Sequence, residues 1–285
     1  TLLVERIVDQ RLVLLHGQSG VGKTSLMNAG VIPSLTEKRM LVLSMDNYHE
    51  PLESLRLSLA DQSEALGLDL QAADTFSGLL GSIAGQIKGT ITLVLDHFER
   101  LYAPGFDPTE REGMLDELRT ALERIEPDYL RMVFVADQSI FNQLGEVERR
   151  IPELARGRFE LGPLPLERAR RAILHPFLNK PRQANYQTVF YDQTFLDRVL
   201  LDELDTLTDQ PGWRQMVSPL HLGIVCDALY DEAIQEREDS IDEEIYDRLG
   251  GAQGILISHF RKNLCLLYTS PSPRDRTRSR MPSSA

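Results

Sequence analysis

The segment Gly17-Gln18-Ser19-Gly20-Val21-Gly22-Lys23-Thr24-Ser25, placed directly after the apolar run Arg11-Leu12-Val13-Leu14-Leu15, constrains this chain more than any other feature. A short apolar run bounded by glycine is the pattern of a buried parallel strand. Glycines at 17, 20 and 22 let the backbone turn tightly enough for successive N–H groups to converge on an anion. The helix expected to start near Gly22 points its positive end at the same place. In a Gly-x-x-x-x-Gly-Lys-Thr loop the lysine, here Lys23, reaches the β- and γ-phosphates, and the hydroxyl of Thr24 goes to Mg²⁺. Ser25 is placed to touch the α-phosphate. Gly30 and Pro33 follow within about two turns, and both are expected to interrupt the helix.

Further strands and helices alternate along the first half. Residues 38–45 and 90–96 read as strands, 51–65 as a helix with Leu52, Leu55, Leu57 and Leu59 as its apolar residues, and Phe76, Leu79, Leu80 and Ile83 as a helical face. Asp107-Pro108 is an N-cap and first-turn pair for a helix carrying Met114, Leu115, Leu118, Leu122 and Ile125. Residues 131–137 form one more apolar strand with a polar end. This alternation predicts an α/β fold: a three-layer α/β/α parallel sheet with ligands at the carboxyl ends of its strands. From about Pro163 the pattern is helical, through Leu166, Ala169, Ala172 and Ile173, then Phe195, Val199, Leu200 and Leu204, a turn at Pro211-Gly212, and a third helix over 219–234. A small helical domain after the sheet is expected.

Leu93-Val94-Leu95-Asp96 supplies the second half of a nucleotide site. An acid at the tip of a strand beside the loop strand can hold Mg²⁺ through its water shell. His97 then stands where many ATPases carry the glutamate that orients the attacking water, and Glu99 is the nearest alternative. The catalytic set is therefore Lys23, Asp96 and Glu99, with Thr24 and Asp96 as metal ligands. Asn179-Lys180-Pro181-Arg182 lacks the acid of a guanine-reading motif, which favours ATP/ADP over guanine nucleotides. The histidines at 16, 97, 175 and 221 stand at no metal-ligand spacing.

Composition bounds the partners. No run approaches 18 apolar residues, so no membrane-spanning helix is expected, and the two cysteines, Cys226 and Cys265, form neither a metal motif nor a disulfide framework, as suits a cytoplasmic protein. The chain opens on Thr1 and reads as a piece of something longer. Residues 265–285 turn abruptly to Ser, Pro and Arg and are expected to be disordered. That string closely resembles the translation of a transposase-type sequencing adapter, and is set aside as an artefactual tail. Without its four Arg and one Asp the chain carries 27 basic and 42 acidic side chains, a net of −15. Such a field opposes general nucleic-acid binding.

Several segments together resemble one family. Gly17 to Leu26 followed by Ala29-Gly30-Val31-Ile32-Pro33 is similar to the phosphate loop of the novel branch of STAND NTPases, signal-transduction ATPases in which this helix runs into an Ala-Gly-Leu-x-Pro-like break. Leu95-Asp96-His97-Phe98-Glu99-Arg100-Leu101-Tyr102 resembles the family's Asp-Gln-Phe-Glu-Glu-Leu-Phe segment, with His97 and Arg100 as departures. Phe159 to Leu164 and Ala172 to Pro176 resemble its first lid helix. Pro219-Leu220-His221-Leu222 resembles the lid segment whose proline packs on adenine, and Tyr246 to Gly254 the start of its winged helix.

The resemblance implies a P-loop NTPase domain over 1–162, a helical lid over 163–240, the truncated start of a winged helix over 241–264 and the tail over 265–285. It also implies a switch that closes its lid over nucleotide and self-associates when opened, with an effector before residue 1 and sensor repeats beyond 264. The fourth strand departs from the family, reading Val135-Ala136-Asp137-Gln138 where an Arg-Ala-Asp-Phe-like sensor is usual. Two readings stay open: an ATP-hydrolysing switch, and a scaffold that holds nucleotide without turnover. A DNA-handling helper ATPase is a third, opposed by the net charge.

Overall fold

Apolar residues dominate the main strands, broken only by single polar residues such as Ser44, Thr92 and Arg131, and helices cover both faces of the sheet they form. The computed structural model describes residues 2–69, 73–87, 89–178, 189–207 and 215–269. They divide into two units, Thr1–Gly162 and Pro163–Ala285.

The first unit runs α1 (Leu2–Asp9), β1 (Leu12–Gly17), α2 (Lys23–Leu26), a π turn (Met27–Val31), α3 (Ile32–Glu37), β2 (Leu41–Met45), α4 (Pro51–Leu66), α5 (Phe76–Gln86), β3 (Ile91–Leu95), α6 (Pro108–Arg124), β4 (Leu130–Asp137), α7 (Leu144–Arg150) and β5 (Arg158–Glu160). The strands form one sheet in the order β2-β3-β4-β1-β5, and every pairing is parallel. Side-chain alternation sorts the layers. Val13 and Leu15 of β1 pack with Val133 and Val135 of β4 against Ile7, Met27, Val31 and Leu35 of the flanking helices. Leu12 and Leu14 face the other way, with Met132 and Phe134, into a larger core with Leu55, Leu79, Leu115 and Leu118. This is the three-layer α/β/α arrangement of a P-loop NTPase.

Side chains end the helices where the backbone leaves groups unpaired. Asp107 accepts the N–H groups of Thr109 at 2.7 Å and Glu110 at 3.1 Å at the start of α6. At its far end the Arg11 guanidinium donates to the carbonyls of Leu122 at 2.7 Å and Ile125 at 2.6 Å. Arg131 does the same for α1, donating to Val8 O at 2.7 Å.

The structure corrects several expectations. Gly30 and Pro33 do not break the loop helix; Lys23 to Glu37 is helical throughout, with the π turn inside it. Ile32 donates to Met27 O, five residues back, and this wider turn makes room for a proline that has no N–H to give. The second strand starts at Leu41 because Arg39 takes a left-handed turn with φ 62°. Leu57 is 67% exposed, off the face formed by Leu55 and Leu59. Ala172 is likewise exposed. The β3 strand does not lie beside β1: β4 stands between them. The three-residue β5 carries too few residues to show a period, whereas α1 shows one, burying Leu3, Val4 and Ile7 on one face.

The second unit contains α8 (Leu166–Leu178), a helical run of α9 (Gln193–Phe195), a π turn (Leu196–Leu200) and α10 (Leu201–Leu207), then α11 (Pro219–Glu236), α12 (Glu243–Arg248) and α13 (Gly251–Thr269). Two-residue strands pair Leu164–Pro165 with Met216–Val217 and Phe190–Tyr191 with Ser240–Ile241. Its core gathers Ala169, Ile173, Phe195, Leu200, Leu204, Val225 and Leu229 with Ile245 and Tyr246. Tyr246 hydrogen-bonds Glu203, joining α12 to α10. Residues 265–269, expected to be disordered, continue α13; nothing in Cys265-Leu266-Leu267-Tyr268 breaks a helix, and Pro271 is the first residue that would. Residues 270–285, the Pro211-Gly212 turn and Asn179 to Arg182 lie outside the described residues.

Candidate functional site

The loop between β1 and α2 is held open by glycine. Gly20 and Gly22 have φ of 78° and 90°, in the left-handed region that a side chain disfavours. Gly17 is required by closeness instead, since a Cβ there would stand 2.3 Å from Leu161 O. Gly22 is the N-cap of α2 and has no side chain to satisfy the first N–H groups of the helix. Those donors and the positive helix end remain available to an anion. Val21 is buried, Gln18 and Thr24 are half-buried, and Ser19, Gly20 and Ser25 are exposed.

Lys23 folds back over this loop. Its ammonium donates to Gly17 O at 2.8 Å and Gln18 O at 2.9 Å, and stands 3.9 Å from Asp137 Oδ2. Burial pushes its pKa below the ordinary lysine value, and the charges of Asp137, Glu99 and Asp96 act in the opposite direction. Asp137 is thus the acid paired with this cation, and the charges of Glu99 and Asp96 add to its pull.

Each acid is placed by its strand end. Asp96 follows β3: its N–H donates to Met45 O at 2.9 Å, its carbonyl accepts the buried Tyr48 hydroxyl at 2.7 Å, and its Oδ1 accepts the His97 N–H at 2.9 Å. His97 has φ of 53°, which turns the chain sharply into a 3₁₀ turn, Phe98–Tyr102. That turn brings Glu99 back to the sheet, where Oε2 accepts the Asp137 N–H at 3.0 Å and Oε1 lies 3.4 Å from His97 Nδ1. Asp137 closes β4 directly beside Gly17 in register, and its Oδ1 accepts the Ser139 N–H at 3.0 Å.

Of the residues expected from sequence, the structure brings together Lys23, Asp96, Glu99 and the loop. Pro219 opens α11 in the second unit, behind an N-cap in which Ser218 accepts the His221 N–H at 3.4 Å. Asp137 was not among the expected site residues. Its signal was the polar end of the strand: Val133, Val135 and Asp137 alternate onto the face that carries Gly17. Val135, at the position of the family's arginine, is 1% exposed in the core beneath the loop helix.

Hydroxyl and carboxylate oxygens are the donors that suit a hard divalent cation, so Thr24 and Asp96 fit Mg²⁺ in kind. Among the described residues no group of three or more His, Cys, Asp or Glu could hold a metal. A cation here would share its ligands with phosphate and water. His16 is buried edge-on against Phe141, with ring centroids 4.8 Å apart. Burial depresses its pKa, Glu160 opposes that, and Arg158 and Lys23 add to it.

The fold and its glycine-rich loop define a P-loop NTPase. The chain belongs to the Novel STAND NTPase 1 family, whose profile matches residues 1–275. Among solved structures it resembles the Aeropyrum pernix ORC2 protein in ADPNP–ADP complexes, with a TM-score of 0.61, 13% identity, and coverage of 90% of this chain and 66% of that one. The Aeropyrum pernix ORC1 protein in complex with DNA gives 0.56, 15%, and 95% and 67%. Cdc6p from Pyrobaculum aerophilum gives 0.52, 11%, and 86% and 64%. These likenesses show a shared fold, and the chain spans about two thirds of the length of those structures. No curated protein matches the chain in sequence. Among the described residues no helix is long and apolar enough to cross a membrane.

Proposed function

We propose that this chain is the ATP-binding, slowly hydrolysing switch module of a larger signalling, regulatory or defence protein in the cytoplasm. The observation that carries the proposal is the Lys23 ammonium, bound to the loop's own carbonyls at 2.8 and 2.9 Å and paired with Asp137 at the end of β4 at 3.9 Å. Gly17, Gln18, Ser19, Gly20, Val21, Gly22 and Ser25 cradle the phosphates through the loop and the helix start. Lys23 neutralises the terminal phosphates. Thr24 and Asp96 hold Mg²⁺, which supplies positive charge to the phosphates when bound. Glu99 takes the proton of the attacking water, the role for which its return to the tip of β4 suits it. In this reading residues 163–240 form the lid, Pro219 packs on adenine, and 241–264 begin a winged helix.

Nucleotide can act as a switch only by binding one arrangement of such parts better than another. Self-association of the open form would then be the output of the full-length protein. A non-hydrolysing scaffold is supported by two specific departures: His97 in the usual place of the glutamate, and an apolar Val135 in place of the sensor arginine. The net charge of −15 over residues 1–264 weighs against a general DNA-binding role. Single-turnover hydrolysis of Mg-ATP separates the first two. Measurable turnover that is lost in Glu99→Gln supports the switch, and none in the wild type supports the scaffold.

A further inference from the structure

Tyr48 stands between β2 and α4, only 2% exposed, and its hydroxyl donates to the backbone carbonyl of Asp96 at 2.7 Å. β2 ends at Met45, whose own carbonyl accepts the Asp96 N–H at 2.9 Å, so the phenol takes the place of the next donor of the ladder. The carbonyl belongs to the peptide that joins Asp96 to His97. The N–H of the same peptide is held by Asp96 Oδ1 at 2.9 Å, which leaves the other carboxylate oxygen for a cation. His97 follows with φ of 53°, a conformation that a side chain disfavours and that persists where the surroundings fix it. The Tyr48 ring meets Phe98 edge-on with centroids 6.0 Å apart, and Phe98 meets Phe134 of β4 at 4.9 Å. That packing needs only the ring. The hydroxyl acts on one peptide plane, and it stays a donor because burial, helped by the charges of Asp96, Glu99 and Asp46, raises its pKa well above the ordinary tyrosine value.

We propose that Tyr48 is a positioning residue for the divalent cation of the site: its hydroxyl fixes the Asp96–His97 peptide and so aims the Asp96 carboxylate. The inference rests on the nucleotide-binding reading above. The loop from Gly17 to Thr24 is built by its own glycines and by the Lys23 contacts to Gly17 O and Gln18 O, apart from this hydrogen bond. Phosphate binding and cation handling therefore become separable. Loss of the hydroxyl leaves the ring in place, the Asp96 carbonyl without its donor, and the left-handed turn at His97 without one of its two restraints. The carboxylate then loses its aim while the phosphate loop is unchanged.

The test is calorimetric binding of a non-hydrolysable ATP analogue to the wild type and Tyr48→Phe across a range of Mg²⁺ concentrations, with melting temperatures to verify folding. Without Mg²⁺ the two proteins bind the analogue alike. In Tyr48→Phe the Mg²⁺ concentration needed for half the tightening rises by about 10-fold or more, the usual cost of losing a group that orients a metal ligand. In the Asp96→Asn background the same change adds nothing, because the carboxylate it aims is gone. A structural role alone would lower the melting temperature and leave the Mg²⁺ dependence in place. Should Tyr48→Phe not fold, the change is made in His97→Gly, where glycine relieves the left-handed turn without supplying a donor, and the same Mg²⁺ shift is expected. An unchanged Mg²⁺ dependence in a folded variant, an equal loss of affinity with and without Mg²⁺, or a wild type that binds the analogue with no response to Mg²⁺ overturns the inference and leaves the loop assignment standing. Failure of the wild type to bind the analogue at all removes the loop assignment and the inference together.

Discussion

The carboxylate of Glu99 accepts the backbone N–H of Asp137 at 3.0 Å, tying the turn after β3 to the tip of β4. This contact carries Glu99 from a surface turn to the end of the sheet where the phosphate loop lies. Glu99→Gln keeps an oxygen for the same N–H and loses only basicity. We expect ATP affinity to be preserved and single-turnover hydrolysis to slow by about 10² to 10⁴ at saturating ATP, so that the variant accumulates with ATP bound. Asp96→Asn should lose Mg²⁺ dependence and hydrolysis together. Equal rates in wild type and Glu99→Gln would remove Glu99 from the chemistry.

Lys23→Ala removes the ammonium that bridges Gly17 O and Gln18 O as well as the charge offered to phosphate. Mg-ATP affinity is expected to fall at least about 10- to 100-fold, the worth of a charged hydrogen bond. The fold persists, because the lysine contributes no core contact. Unchanged calorimetric affinity in a folded variant would refute the loop assignment.

Gly157 sits where the chain enters β5, and a Cβ there would lie 2.1 Å from Leu12 O. Backbone crowding at β1 has no flexible atom to yield, so Gly157→Ala should cost about 1–3 kcal/mol. Gly113→Ala is the control: it lies inside α6 with nothing within 4 Å of its Cβ position. That change should gain about 0.5–1 kcal/mol from helix propensity. Thermal unfolding of the two variants should move in opposite directions, and a shared direction would contradict the geometry.

The pKa of buried His16 is depressed below 6.5. The unfolded chain therefore takes up a proton first as pH falls. Stability should drop as pH passes below 6.5 and level off once the folded-state value is passed. His221 is depressed in the same direction by burial. His16→Leu should make the decline in melting temperature between about pH 8 and 5 shallower without abolishing it. Parallel curves for the two proteins would show that His16 carries none of this dependence.

Much of the site is legible in the sequence because its causes are local. Three glycines, a lysine and a threonine at fixed spacing after an apolar run make the loop motif recognisable within nine residues, and the strand ending in Asp96 is equally short-ranged. Helix faces such as Phe76, Leu79, Leu80 and Ile83 are legible for the same reason, and all four are buried. The π turn is not, since Gly30 and Pro33 read as breakers until the wider turn from Met27 to Ile32 accommodates them.

Strand order belongs to tertiary structure alone. The insertion of β4 between β1 and β3 joins residues far apart in sequence through backbone hydrogen bonds that carry no residue signature. That insertion sets Asp137 beside Gly17, hides Val135 under the loop helix and gives Glu99 its partner. The loop glycines, Lys23 and Thr24 proposed to bind phosphate could be read one by one from the chain. Which acids share the Lys23 charge was decided only when the sheet assembled, because an electrostatic contact depends on distance in space and not on spacing along the backbone.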